Sequence, residues 1–187
     1  MPAISDADGP EPRPYYFVPK PGEEVEFQRK VTQMGQQEIA KYEKARRPSF
    51  ASAQITPQEF RMFDLDSSNQ PIFVLSATAK IFDRGSGRRP GRGTPDAAPT
   101  QPAPDAFLTV VAHEDVYGEL QPMFATVTDA QHLDEFPRLQ LVDAVDADGD
   151  GRGELLFQKA SDSGPGWIIY KPGPDKLATL YDSSNPQ

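Results

Sequence analysis

Cysteine is absent from the 187 residues, so neither a disulfide nor a thiolate-held metal can stabilise the fold. Basic residues are scarce: 19 Lys and Arg stand against 28 Asp and Glu, a net charge of −9. A partner held through its phosphates, nucleic acid above all, is thereby excluded, because such binding needs a surplus of Lys and Arg. No apolar run approaches the roughly 18 residues of a membrane span. The opening MPAISDADGPEPRP has no basic start and no apolar stretch of the signal-peptide kind. It reads as a polar linker, and the chain as the C-terminal piece of a longer, exported protein. Histidine occurs only at His113 and His132, and neither sits at a metal-ligand spacing or in an H-E-x-x-H pattern. No serine lies in a nucleophile elbow. The glycines of GSGRRPGRG lack the strand before and the helix after that a phosphate loop requires. The expectation is a protein without catalytic residues.

What is present is enough for one ordinary domain, with 37% hydrophobic and 25% charged residues. Residues 1–21 are rich in Pro, Gly and acid and read as a linker or disordered tail, interrupted by Tyr15, Tyr16 and Phe17. Those three aromatics are expected to pack on the domain that fills 22–187. Residues 23–46 read as one helix. Val25, Phe27, Val31, Met34, Ile39 and Tyr42 form an apolar stripe. Acids at Glu23, Glu24 and Glu26 and bases at Lys41, Lys44 and Arg46 complement the helix dipole, and Pro48 stops the helix. The stripe serves either to cover a sheet or, alternatively, to dock a protein partner.

From there on the signals are β. Strands are expected at 59–65, 71–82, 106–113, 119–128, 138–145, 154–160, 166–171 and 176–182. The segment 83–105, beginning DRGSGRRPGRG, is almost devoid of apolar residues and reads as a mobile loop. The fold class is therefore mainly β with one N-terminal helix (α+β). The strands form an antiparallel meander of about eight, in two four-strand units resembling propeller blades, 59–128 and 138–182. Such units can continue into one twisted sheet or pack as two. A faint repeat supports two units. FDLDSSNQPIFVL from Phe63 aligns with VDADGDGRGELLF from Val145, placing Asp64 on Asp146, Asp66 on Asp148, Ser68 on Asp150 and Asn69 on Gly151. Asn is second to Gly in tolerating a left-handed backbone, so that last exchange preserves a turn.

The second of these loops carries the chemistry. Asp146, Asp148 and Asp150 alternate with small residues, Gly151 follows, and Glu154 closes the run. Carboxylates two apart around a tight turn suit a hard cation that prefers about seven oxygens near 2.4 Å. Arg152 would offer its backbone carbonyl. A helix–loop–helix calcium site is excluded by Phe157, which stands at the twelfth position where a bidentate Glu is needed, and by flanks that read as strands. A bare acidic hairpin remains the alternative.

The loop resembles the D-x-D-x-D-G-x-x-[DE] strand–loop–strand element of FG-GAP/VCBS-type repeats, the calcium loops of integrin-like propeller blades. Asp146, Asp148, Asp150 and Glu154 match that pattern residue by residue over about twenty residues, 138–160 broadly. Glu154 is longer than the usual Asp, and the copy near 60–75 has Ser68 and Ile72 where ligands belong. The resemblance implies a non-enzymatic, calcium-stapled β module, a binding or scaffold unit located outside the cytoplasm, periplasmic or secreted. Two other readings compete. One is a metal-free domain whose helix docks a partner or that self-associates. The other is a carbohydrate-directed domain using exposed acids, with Trp167 as a stacking platform.

Overall fold

A computed structural model of the chain describes residues 15–46, 54–80, 105–115 and 117–185. The elements run α1 (Glu23–Arg46), β1 (Gln54–Phe63), β2 (Ile72–Lys80), β3 (Asp105–Glu114), β4 (Leu120–Asp129), β5 (Arg138–Val145), β6 (Glu154–Ser161), β7 (Gly164–Pro172) and β8 (Leu177–Asp182). Strands pair with their sequence neighbours, antiparallel throughout, giving two four-stranded meanders, β1–β4 and β5–β8.

The layers follow from the two-residue period of the strands. On β2, Phe73, Leu75, Ala77 and Ala79 join the core beneath α1, while Val74 points the other way into a second core. β3 divides likewise, with Leu108 and Val110 on the helix side and Val111 opposite. Leu139, Leu141, Leu155, Phe157 and Ile168 of the second sheet fill that second core. The order is thus helix, sheet, sheet. Burial on both faces explains why β2 and β3 read as nearly continuous apolar runs. Between the sheets, the Thr109 hydroxyl donates to the Leu139 carbonyl (3.0 Å), and the Arg138 guanidinium lies 4.2 Å from the Phe107 ring centre.

The sheets stack in the same sense rather than as mirror images. Leu155 stands 82 residues after Phe73. Phe73 faces α1, whereas Leu155 faces the first sheet. The helix therefore covers on the first sheet the face that the first sheet covers on the second. The outer face of the second sheet has no layer over it among the described residues, and Trp167 on β7 is 41% exposed there.

α1 spends its stripe on the first sheet: Phe27, Val31, Met34, Ile39 and Tyr42 all pack in that core. Val25, counted in the stripe from sequence, is 70% exposed, because two residues before Phe27 is about 200° around the helix. Gly35 is the contact point. A Cβ added there would meet Leu108 Cδ2 at 2.5 Å.

One strand boundary differs from the sequence reading by more than two residues. β1 starts at Gln54, not 59, pairing Gln54 to Pro57 with Ala77 to Lys80 before a bulge. Pro57 and its polar neighbours hide this stretch, and the proline is tolerated because β1 is an edge strand. Residues 15–17, inside the stretch read as a tail, pack on the domain as expected of the three aromatics. The Phe17 amide donates to the Met62 carbonyl (3.0 Å) and the Asp64 amide to the Tyr15 carbonyl (2.7 Å). The Tyr16 ring stacks on Phe63 with centres 5.6 Å apart. The expected mobile loop 83–105 lies outside the described residues except for Asp105, the first residue of β3.

Candidate metal-binding loop

β5 ends at Val145 and β6 begins at Glu154, directly opposite it. The eight residues between them curl over the end of the second sheet. The curl is built from side chains accepting backbone amides. Asp146 accepts Gly149 (2.7 Å) and Gly151 (3.0 Å), Asp148 accepts Asp150 (3.2 Å), and Asp150 accepts Arg152 (2.9 Å). Gly149 and Gly151 adopt φ of +78° and +82°, the left-handed region that glycine enters without steric cost.

The first loop, between β1 and β2, repeats most of this backbone pattern 82 residues earlier. Ser67 and Asn69 have φ of +60°. Asp64 accepts Asn69 (3.2 Å), Asp66 accepts Ser68 (3.1 Å), and Ser68 Oγ accepts Gln70 (3.2 Å). Phe63 faces Ile72 across the strands as Val145 faces Glu154. The loops also touch, since the Gly153 amide donates to the Leu65 carbonyl (2.7 Å). The weak repeat seen in sequence is thus a repeat of conformation.

Of the five residues assigned to the metal from sequence, Asp146, Asp148 and Glu154 bring carboxylate oxygens within 4.8 Å of one another, the only such group of three or more potential ligand side chains among the described residues. Asp150 turns instead to Lys171, and Arg152 contributes its amide to Asp150. Glu154 is 0% exposed. Its Oε2 accepts the Ala147 amide (2.7 Å), but its buried Oε1 has no hydrogen-bond partner. Burial above all pushes the Glu154 carboxyl pKa up. The charges of Asp148 and Asp150 add to that rise, against the opposing pull of the Ala147 amide and Lys171.

Lys171, on β7, was not anticipated. Its ammonium donates to Asp148 Oδ2 and to Asp150 Oδ2 (2.6 Å) and lies 3.6 Å from Glu154 Oε1. Those two aspartates raise the Lys171 pKa, and the Lys171 ammonium, first, with the Arg152 amide, lowers that of Asp150. A signal did exist. The two-residue turn Asp162–Ser163 between Ser161 and Gly164 sets the β6–β7 register, and counting back from it brings Lys171 opposite Glu154.

The other residues singled out lie elsewhere. His132 Nδ1 is 2.7 Å from Asp129 Oδ1, and Asp129 also accepts the Tyr42 hydroxyl (2.8 Å) and the Gln131 amide (2.8 Å). His113 sits on β3 opposite Ile72. Sequence reading also missed a cleft of about 650 Å³ between the sheets, where Phe124, Ile168 and Tyr170 form apolar wall. There the buried Lys159 ammonium donates to Asp182 and to Ser184 Oγ (2.7 Å). No protein-family model matches the chain, and neither curated proteins nor solved structures yield a match.

Proposed function

We propose that the protein is a non-enzymatic β-rich binding or scaffold module in which the 146–154 loop holds one structural calcium ion, in the manner of an FG-GAP/VCBS-type unit. The observation that carries this reading is the buried Oε1 of Glu154, which accepts no hydrogen bond and has only the Lys171 ammonium near it, at 3.6 Å, in a residue whose carboxylate gathers with those of Asp146 and Asp148 within 4.8 Å. A desolvated carboxylate beside two others is costly unless a cation compensates it. All-oxygen donors on a glycine-rich loop suit calcium, which accepts six to eight oxygens in flexible geometry, better than magnesium, which demands a near-ideal octahedron. Asp146, Asp148 and Glu154 would supply carboxylates, Asp150 a further one, and Arg152 its carbonyl. The ion would act as a staple. It joins the end of β5 to the start of β6, next to the contact between the two loops.

A one-site loop of this kind suits millimolar calcium, so this reading favours an extracytoplasmic setting. The packing of α1 on the first sheet leaves a partner-docking helix only its polar face, which weighs against that alternative. Thermal unfolding of the full chain with calcium and with a chelator tests the reading. Binding to the folded state adds RT ln(1 + [L]/Kd) to stability, so calcium should raise Tm; an unchanged melt would falsify the site.

A further inference from the structure

The ammonium of Lys171 stands where the ion would gather its ligands. It donates to one oxygen each of Asp148 and Asp150 and lies 3.6 Å from the Glu154 Oε1, which accepts no hydrogen bond. A carboxylate oxygen that accepts an N–H along a lone pair cannot offer the same lone pair to a metal about 2.4 Å away. Two cations sharing this pocket would also repel at short range with little water between them. Lys171 belongs to a different strand from the loop, is carried on a flexible four-carbon stem and is 31% exposed on its side chain, so its head can leave for solvent.

We propose that Lys171 is a tethered competitor for the divalent ion: it fills the loop when calcium is absent, and calcium binds only by displacing it. The inference rests on the calcium reading above. It gives the loop two closed forms, one bridged by an internal ammonium and one by the metal. Lys171 does not match the metal's compensation, because one positive charge faces three carboxylates and leaves Glu154 Oε1 without a hydrogen bond. The first unit argues the same coupling from the other side. There Ile72 replaces Glu154, Ser68 replaces Asp150, and His113 takes the strand position of Lys171. Two of the four acids and the tethered ammonium are absent together, while Asp64 and Asp66 remain.

Calcium titration of the full-length wild type, K171M and K171Q, by calorimetry with calcium chloride alone, tests this. When only a fraction f of the protein is competent, the apparent Kd is the intrinsic value divided by f. A loop nine-tenths filled by Lys171 therefore predicts about tenfold tighter binding in both variants. Binding by the variants where the wild type shows none supports the proposal still more strongly. Variants that bind no tighter than a calcium-binding wild type overturn the competition and leave the calcium site standing. Absence of binding in all three overturns both. A second readout needs no variant: acylation of the Lys171 amine in the wild type, followed by mass spectrometry, should rise on adding calcium, and a rate that calcium leaves unchanged while it binds overturns the displacement.

Discussion

Ile72 and Glu154 hold one position in two copies of the same hairpin. Each is the first residue of its second strand, opposite the last residue of the first, Phe63 or Val145. Each follows a loop with two left-handed residues and the same ladder of acid-to-amide hydrogen bonds. The backbone is shared, so the difference in chemistry lies in side chains alone. Ile72 packs against the core between the sheets, while Glu154 buries a carboxylate.

The exchange E154Q follows from this. Without metal the substitution removes a buried charge and keeps an oxygen for the Ala147 amide, so Tm should stay level or rise by about 2–4 °C for each kcal/mol gained. With calcium the wild type should gain stability and the variant should not. Melting curves of both proteins in calcium and in chelator check this. A variant with the full calcium response would remove Glu154 from the site.

The left-handed turns make a second prediction. Gly151 has φ of +82° and open space where a Cβ would point, so only backbone strain opposes substitution. G151N copies Asn69 and should be nearly neutral. G151V should cost about 1–2 kcal/mol, the penalty of a left-handed conformation for a side chain. Urea denaturation of the three proteins in chelator would show it, and equal midpoints for G151N and G151V would refute the assignment.

Gly35 concerns the other core. Alone in a helix, glycine costs about 1 kcal/mol against alanine, yet here it lets α1 approach Leu108, itself buried beneath the helix. G35V should destabilise by about 1–3 kcal/mol through overpacking. A stability gain, read by denaturant titration, would mean that the helix does not seat as described.

Asp129 gives the pH dependence. Burial raises its pKa, but the hydrogen bonds from His132, Tyr42 and the Gln131 amide outweigh this and leave it lowered. A depressed folded pKa means that the unfolded chain takes up the proton more readily. The stabilisation is therefore whole above the unfolded value, about 3.9, and is lost as pH falls through the lower folded value. D129A should cost about 1–3 kcal/mol at neutral pH, the cost of stranding buried polar partners, and less in acid. A wild-type-to-variant difference constant from pH 7 to pH 3 would contradict this.

Much of the chain was legible beforehand, for local reasons. The strand Arg138–Val145 alternates polar and apolar residues until its bulge, and its bounds match the expectation. α1 is framed by acids at one end and Pro48 beyond the other. The start of β1 was not legible, because an edge strand tolerates the proline and polar residues that elsewhere mark a loop. Val25 was misassigned because a stripe read at loose helical spacing ignores the angle each residue subtends.

Sequence by itself determined the helix, the two four-strand units and the acidic loop with its turn glycines. Each depends on spacing along a few residues, where steric limits on φ and the two-residue strand period act directly. Only tertiary structure decided that the helix covers one face of the first sheet and the second sheet the other, that Tyr15–Phe17 join the edge of β1, and that Lys171 enters the loop. These are meetings across strands and layers. They depend on register and on which faces exclude water together, and residues as far apart in sequence as Asp148 and Lys171 become neighbours only when the hairpin between them has formed.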